Sequence, residues 1–357
     1  MPDPRAEPRL EADRLVNAGQ GFAWKGCDRM RDPAPDLVQF LVEQGLAQRG
    51  EAGNWTPLAG GVSSDIWRVE TSVANFCVKR ALAKLKVASD WQAPVDRNAY
   101  EWAYMEVVSE IAPGAVPRPL AHDPGKGLFA MAWLPPQSHR LWKSALFEGE
   151  ADARFAAALG ALIARIHAAS ARDLSLPGRF ATDTNFHALR IDPYLLETAR
   201  RHLDVAPALR EIAARTAATR HALVHGDVSP KNILIGPHGP VLLDAEVAWF
   251  GDPAFDLAFC ANHLAIKARI LGARSLREAH DAFAGAYLAG VDWEDAVALE
   301  RRAAALLPAL ALARVDGKSP LEYLDDGQSR SLRAAAKAAI AANPLRLSDA
   351  CELLLAG

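Results

Sequence analysis

The sequence predicts an α+β protein of two lobes. A small β-rich lobe is expected at residues 55–134 and a larger, mainly helical lobe at 135–357. An N-terminal extension, 1–54, carries one short helix. Three observations predict this. The chain has 357 residues, more than one ordinary core encloses. Runs of β-forming residues follow Trp55. Apolar residues at helical spacing fill most of the second half.

Each element has its own signal. Residues 1–36 are polar and contain several prolines. Over 36–48, Leu37, Phe40, Leu41 and Leu46 fall at helical spacing. The segment 58–64 is turn-rich. Residues 66–70 and 75–79 read as strands. A helix is expected over about 97–111, ended by Pro113 and Gly114. Residues 128–134 form a short apolar strand, and Pro135-Pro136 marks the lobe boundary. In 151–170, Phe155, Leu159, Leu162, Ile163 and Ile166 share a helical face. Two short buried strands flank a turn near 236–240, and everything after Asp256 reads as helix.

Composition excludes several function classes. Half of the residues are hydrophobic, 23% are charged and the net charge is −3. That is the balance of a globular protein without the basic excess of a nucleic-acid binder. Cys27, Cys77, Cys260 and Cys351 are far apart and form no C-x-x-C pair. A disulfide framework or zinc site is therefore not expected, and a reducing, cytoplasmic compartment is. The N-terminus lacks the apolar core of a signal peptide. The longest apolar stretch, 303–313, is too short to span a bilayer and contains Pro308. No nucleic-acid or membrane partner is expected. The pattern does not specify an oligomeric state.

The chemistry concentrates in His225-Gly226-Asp227-Val-Ser-Pro-Lys-Asn232. Phosphoryl transfer to a hydroxyl needs a carboxylate to orient the hydroxyl and accept its proton. It also needs oxygen ligands for the Mg²⁺ that bridges the phosphates. An Asp and an Asn five positions apart, on a loop closing onto a strand, supply both. Asp227 is the expected base and Asn232 a metal ligand. Twelve residues on, Asp244 ends Val-Leu-Leu-Asp, placed to hold the metal against the phosphates. Glu246 can add a second carboxylate. An isolated Asp-x4-Asn is more often a loop with Asx turns. The full set, flanked by apolar strands, is far more specific.

The stretch 225–257, including Gly251-Asp252-Pro253-Ala254-Phe255-Asp256-Leu257, resembles the signature of the aminoglycoside phosphotransferase / choline kinase-like family. These are small-molecule kinases with a protein-kinase-like fold. The resemblance covers roughly residues 55–325 and implies ATP and Mg²⁺ as cofactors. It further implies a nucleotide loop at Gly60, Gly61, Ser63 and Ser64, whose backbone N–H groups approach phosphate. Lys79 resembles the strand lysine that contacts the α- and β-phosphates. Its partner is expected among Glu101, Glu106 and Glu110, with Glu101 favoured by the spacing. The segment 131–134, with Met131 and Trp133, resembles the hinge that meets adenine, or is simply core. His225 and Asp256 are expected to brace the catalytic loop. Asp252 is read as a brace or as a helix N-cap.

Departures narrow the reading. Ser229 stands two residues after Asp227, where many protein kinases carry lysine, and Lys231 is not a clean equivalent. Asp244-Ala245-Glu246 replaces Asp-Phe-Gly, no Ala-Pro-Glu follows, and Gly251-Asp252 leaves no room for an activation segment. A protein kinase is disfavoured, and the Asp-x-Glu form resembles several small-molecule branches, methylthioribose kinases among them. A non-catalytic nucleotide-binding module is the other alternative, disfavoured because base, metal ligand and lysine are all present. Asp316-Gly317-Lys318-Ser319 imitates the end of a Walker A loop, but Leu312 stands where that motif needs glycine.

The expected partner is a small-molecule hydroxyl acceptor, and the signal for its pocket is weak. Arg314 and Lys318 suit an anionic acceptor and Asp316 a cationic one, unless the three are a solvated helix end. Trp142 lines the same cleft or packs in the core. The many arginines of the C-terminal third favour a metabolic hydroxyl compound over a polycationic aminoglycoside.

Overall fold

The computed structural model describes residues 34–51, 53–58, 64–81 and 97–356. Its N-terminal part is a five-stranded antiparallel sheet: β1 (Asn54–Pro57), β2 (Ser64–Glu70), β3 (Asn75–Ala81), β4 (Pro119–Asp123) and β5 (Leu128–Ala132), in the order β1-β2-β3-β5-β4. Side chains alternate between its faces. Val69, Phe76, Val78 and Ala130 turn to the outer face, where α1 (Pro35–Glu43) covers them with Leu37, Phe40 and Leu41. The opposite face carries Ile66, Lys79 and Phe129, which are cross-strand neighbours. It turns toward the interior beside α2 (Arg97–Ile111).

The rest of the chain is mainly helical. After the short β6 (Arg140–Leu141) come α3 (Trp142–Phe147) and α4 (Ala153–Ser170), the latter capped by Asp152. A ten-residue π-helical segment, His187–Leu196, contains Pro193 and precedes α5 (Ala206–Ala218). Then β7 (Ala222–Val224), β8 (Ile233–Gly236), β9 (Gly239–Leu242) and β10 (Trp249–Gly251) form two small sheets. β7 pairs with β10, and β8 pairs with β6 and β9. Five helices finish the chain: α6 (Ala254–Leu271), α7 (Arg274–Ala289), α8 (Ala296–Asp316), α9 (Asp326–Ala342) and α10 (Leu347–Leu355). α6 is the axis of this lobe, with Ala254 through Ala268 all buried, as expected of a helix that is apolar on most sides. α4 and α7 touch so closely that a Cβ on Gly160 would lie 2.2 Å from the Phe283 carbonyl oxygen.

The expected elements match with shifted ends. The helix expected over 36–48 is Pro35–Glu43, since Gly45 adopts a left-handed φ of 69°. The strand expected to reach Leu134 stops at Ala132, because Pro135-Pro136 follows and proline removes ladder donors. β1, β4, β6, β10 and the π-helical segment are additions. Among the described residues, no helix is long and apolar enough to cross a membrane.

Candidate active site

The site lies where the sheet face bearing Lys79 meets the small sheets below. Lys79 Nζ is 2.6 Å from Glu101 Oε2 and 2.6 Å from Asp244 Oδ1. The lysine is only 2% exposed. Burial disfavours its charge, but Asp244 and Glu101 outweigh burial and hold its pKa above the usual lysine range. Burial pushes Glu101 upward against the pull of Lys79. Burial also opposes the charge of Asp244, yet Lys79 and Lys231 keep that carboxyl below its ordinary value. Of the three candidate glutamates, Glu101 is the one that meets Lys79. Glu106 pairs with Arg179, and Glu110 is exposed. Beside this triple lies a cleft of about 270 Å³ whose apolar lining includes Ile66, Val116, Met131 and Leu242.

The loop from β7 to β8 forms the floor. Asp256, at the start of α6, accepts the His225 N–H on Oδ2 at 2.7 Å and the Gly226 N–H on Oδ1 at 2.8 Å. Behind it, His167 lies 3.2 Å from Oδ2 through Nε2, and its Nδ1 meets the Tyr287 hydroxyl at 2.7 Å. Gly226 adopts φ 78°, and a Cβ there would lie 2.7 Å from Val247. The His225 ring is neutral, with its pKa lowered by burial. Its Nδ1 accepts the Asp227 N–H at 3.2 Å, so Nε2 carries the proton and donates to the Leu243 carbonyl at 3.1 Å.

Asp227 is buried, and two cations meet its Oδ2: Lys231 at 3.1 Å and Arg190 at 3.2 Å. Burial pushes the carboxyl up, but Lys231 and Arg190 outweigh it and hold the pKa far below the carboxylate range. Arg190 also donates from Nε to the Gly226 carbonyl at 2.5 Å. The Asn232 amide nitrogen donates to the Asp227 carbonyl at 3.1 Å, which leaves its Oδ1 as a ligand oxygen. Asp244 turns at φ 65°, one of two non-glycine residues with positive φ among those described. Such backbone is uncommon for a side chain that is not Gly, Asn or Asp. Glu246 bonds Arg97 of α2 at 3.1 Å.

A divalent cation and a nucleotide fit these residues. The Asn232 amide oxygen, just before β8, and the Asp244 carboxylate, just after β9, are hard donors at the same end of a paired hairpin. Among the described residues no group of three or more His, Cys, Asp or Glu is placed to hold a metal alone. Phosphate oxygens would have to complete the coordination, as is usual for Mg²⁺.

Other expected residues scatter. Gly60, Gly61 and Ser63 lie outside the described residues, and Ser64 is buried at the start of β2. Trp133 lies under the Arg68 guanidinium at 5.1 Å. Trp142 is 1% exposed and packs on Phe155, so it offers no surface to the cleft. Asp316 is held by Arg333 at 2.6 and 2.8 Å and by His202 at 2.9 Å, a tie between helices. Lys318 pairs with Asp192 at 2.8 Å on the surface. Arg314 turns inward to Tyr194 and Ser319. Asp252 lies one residue before the Pro253 N-cap of α6, accepts the Ala254 N–H at 3.1 Å and also binds Arg302 at 3.1 Å. Sequence reasoning missed Arg190, which sits in no motif and reaches Asp227 only through the π-helical segment.

A family profile described as APH, phosphotransferase enzyme family, matches residues 54–299. The chain belongs to the phosphotransferase enzyme family. Methylthioribose kinase from Pectobacterium carotovorum subsp. carotovorum (strain PC1) is 27% identical over 222 residues, covering 55% of either chain. This phosphotransferase spans less than two thirds of the length of the curated relatives it matches. Choline kinase from Cryptosporidium parvum Iowa II shares the fold with a TM-score of 0.55 at 10% identity, covering 89% of this chain and 99% of that one. Amicoumacin kinase hAmiN, in complex with AMP-PNP, Ca²⁺ and Ami, does so with a TM-score of 0.53 at 15% identity, covering 84% and 91%. Identities this low establish the fold alone.

Proposed function

We propose that this phosphotransferase is a small-molecule kinase that transfers the γ-phosphate of ATP to a hydroxyl group, with Mg²⁺. One observation carries the reading. A buried lysine is shared at 2.6 Å by Glu101 and Asp244, directly across a cleft from a loop whose Asp227 and Asn232 are fixed by backbone bonds.

Each residue then has a task. Lys79, kept protonated by its two carboxylates, meets the α- and β-phosphates. The apolar wall of Ile66, Val116, Met131 and Leu242 takes the adenine. Asn232 and Asp244 would hold the metal, and Glu246 stands nearby as a further carboxylate. Bound Mg²⁺ supplies positive charge that neutralises the phosphoryl oxygens. Lys231 and Arg190 occupy Oδ2 of Asp227, so Oδ1 remains to accept the acceptor hydroxyl. The hydroxyl oxygen bonds to the γ-phosphorus, the bond to the ADP oxygen breaks, and the proton passes to Asp227. A weakly basic carboxylate suffices, since a loose transition state needs positioning more than deprotonation.

The test is ATP turnover with pooled hydroxyl metabolites, comparing wild type with Asp227→Ala. Product formation lost in the variant, with nucleotide binding retained, is the expected result. Retained turnover in Asp227→Ala would contradict the assignment.

A further inference from the structure

Behind Asp227 the helical lobe holds positive charge without matching negative charge. Lys267 of α6 is 2% exposed. Its ammonium has the Tyr323 hydroxyl at 3.3 Å and the rings of Phe147 and Tyr323 at 5.2 and 5.3 Å. Arg314 of α8 donates to the Ser319 carbonyl and hydroxyl at 2.5 and 3.0 Å and to the Tyr194 hydroxyl at 3.3 Å. Among the described residues neither cation has a carboxylate at ion-pair distance. The Arg314 Nε and the His263 Nδ1 are buried with no hydrogen-bond partner. His263 is one helical turn before Lys267, on the same face of α6.

This cluster adjoins the reacting centre. The Tyr194 ring lies 5.9 Å from the Arg314 guanidinium and 5.8 Å from that of Arg190, and Arg190 is the cation bonded to Asp227. The Tyr323 ring is shared by Lys267 and, at 6.0 Å, by Lys143. Lys143 lines the cleft together with Lys231, Asn232 and Asp244. Its partner Glu322, 3.6 Å away, is largely exposed. Burial first, and then Lys143 and Arg314, lower the Lys267 pKa to about 7. A buried ammonium without a counter-ion destabilises a fold. Leucine or methionine at 267 would pack the same helix without that cost. The arrangement makes sense when a ligand brings the missing negative charge.

We propose that Lys267, Arg314 and Lys143 form an anion-binding floor of the acceptor site, so that the acceptor is a hydroxyl compound bearing a carboxylate or phosphate group. The proposal rests on the kinase reading for the fate of the hydroxyl, while the anion floor stands on its own geometry. The product would be the phosphomonoester of that same anion, with ADP as the leaving group and the hydroxyl proton on Asp227.

Matched three-carbon probes test it: glycerol, glycerate and glycerol 3-phosphate, with wild type, Lys267→Met and Arg314→Lys. Two readouts are taken, the unfolding midpoint without nucleotide and phosphoester formation with Mg²⁺ and ATP. One or both anions should raise the wild-type midpoint saturably, and glycerol should not. A response to glycerate alone marks a carboxylate site, and to glycerol 3-phosphate alone a phosphate site. Lys267→Met should lose the anion response and at least about tenfold in kcat/KM for the anion. Its own ligand-free midpoint should rise, which shows that it folds. Arg314→Lys keeps the charge but not the guanidinium fork, and should weaken the response less than Lys267→Met does. No anion response in wild type, or an equal response in Lys267→Met, overturns the proposal. Turnover of glycerol without any anion response also overturns it while leaving the kinase reading intact. An anion response lost in Lys267→Met with no turnover supports the floor and counts against transfer.

Discussion

Lys231 and Arg190 bond the same oxygen of Asp227, at 3.1 and 3.2 Å, and so fix the direction in which the other oxygen can accept a hydroxyl. Asp227→Ala should lower kcat by about 10²–10⁴-fold, the usual contribution of a positioned proton acceptor. Nucleotide affinity, measured by calorimetry, should change little. Lys79→Met makes a different prediction. It leaves Glu101 and Asp244 as neighbouring carboxylates without their shared cation. Stability should fall by about 3 kcal/mol, the order expected when one partner of a buried pair is removed. Nucleotide affinity should fall with it, and denaturant unfolding beside nucleotide titration separates the two. At this scale the sequence was legible where residues are close in the chain. His225, Asp227 and Asn232 lie within eight positions, and Asp244 ends the next hairpin. Arg190, Lys267 and Arg314 were not legible as one group. They stand on the π-helical segment, α6 and α8, and only packing brings them together.

Helix α6 does two tasks at once. Its Asp256 anchors the loop that carries Asp227, and its next turns build the core. Asp256→Ala should leave the buried N–H groups of His225 and Gly226 without acceptors. Each such group costs about 1–3 kcal/mol, so the unfolding midpoint should drop and kcat should fall with it. A variant with unchanged kcat would contradict the bracing role. Gly160→Ala should instead cost about 1–3 kcal/mol of stability through overpacking of α4 against α7, with kcat per folded molecule unchanged. Element by element, the pattern of apolar residues gave β2, β3, α2 and α4 with ends displaced by a few residues. β4 was missed because Pro119, His122 and Asp123 dilute its alternation. The π-helical segment has no sequence period of its own to reveal it.

For the whole molecule, the uncompensated cation inside the helical lobe has a consequence for stability. Lys267 titrates near 7 in the folded chain and near 10.4 when unfolded. Between these values the unfolded chain binds the extra proton, so stability should rise with pH across this window. Below about pH 7 both states are protonated and the destabilisation is complete. Lys267→Met should remove this part of the rise and be the more stable protein at pH 6–7, as read from denaturant midpoints across pH. The two-lobe plan itself was legible because the longer strand-forming runs cluster before Pro135-Pro136 and most helical runs follow it. What each lobe contributes to one cleft was legible only through the spacing of the His225–Asn232 loop and Asp244.

The most direct test of phosphoryl transfer is ³¹P NMR of ATP and Mg²⁺ with the enzyme and a pool of hydroxyl metabolites enriched in carboxylates and phosphates. A new phosphomonoester resonance growing with ADP, absent for Asp227→Ala and after chelation of Mg²⁺, is the result predicted. ATP that remains unchanged in every pool, or a product that forms equally with Asp227→Ala, would contradict it.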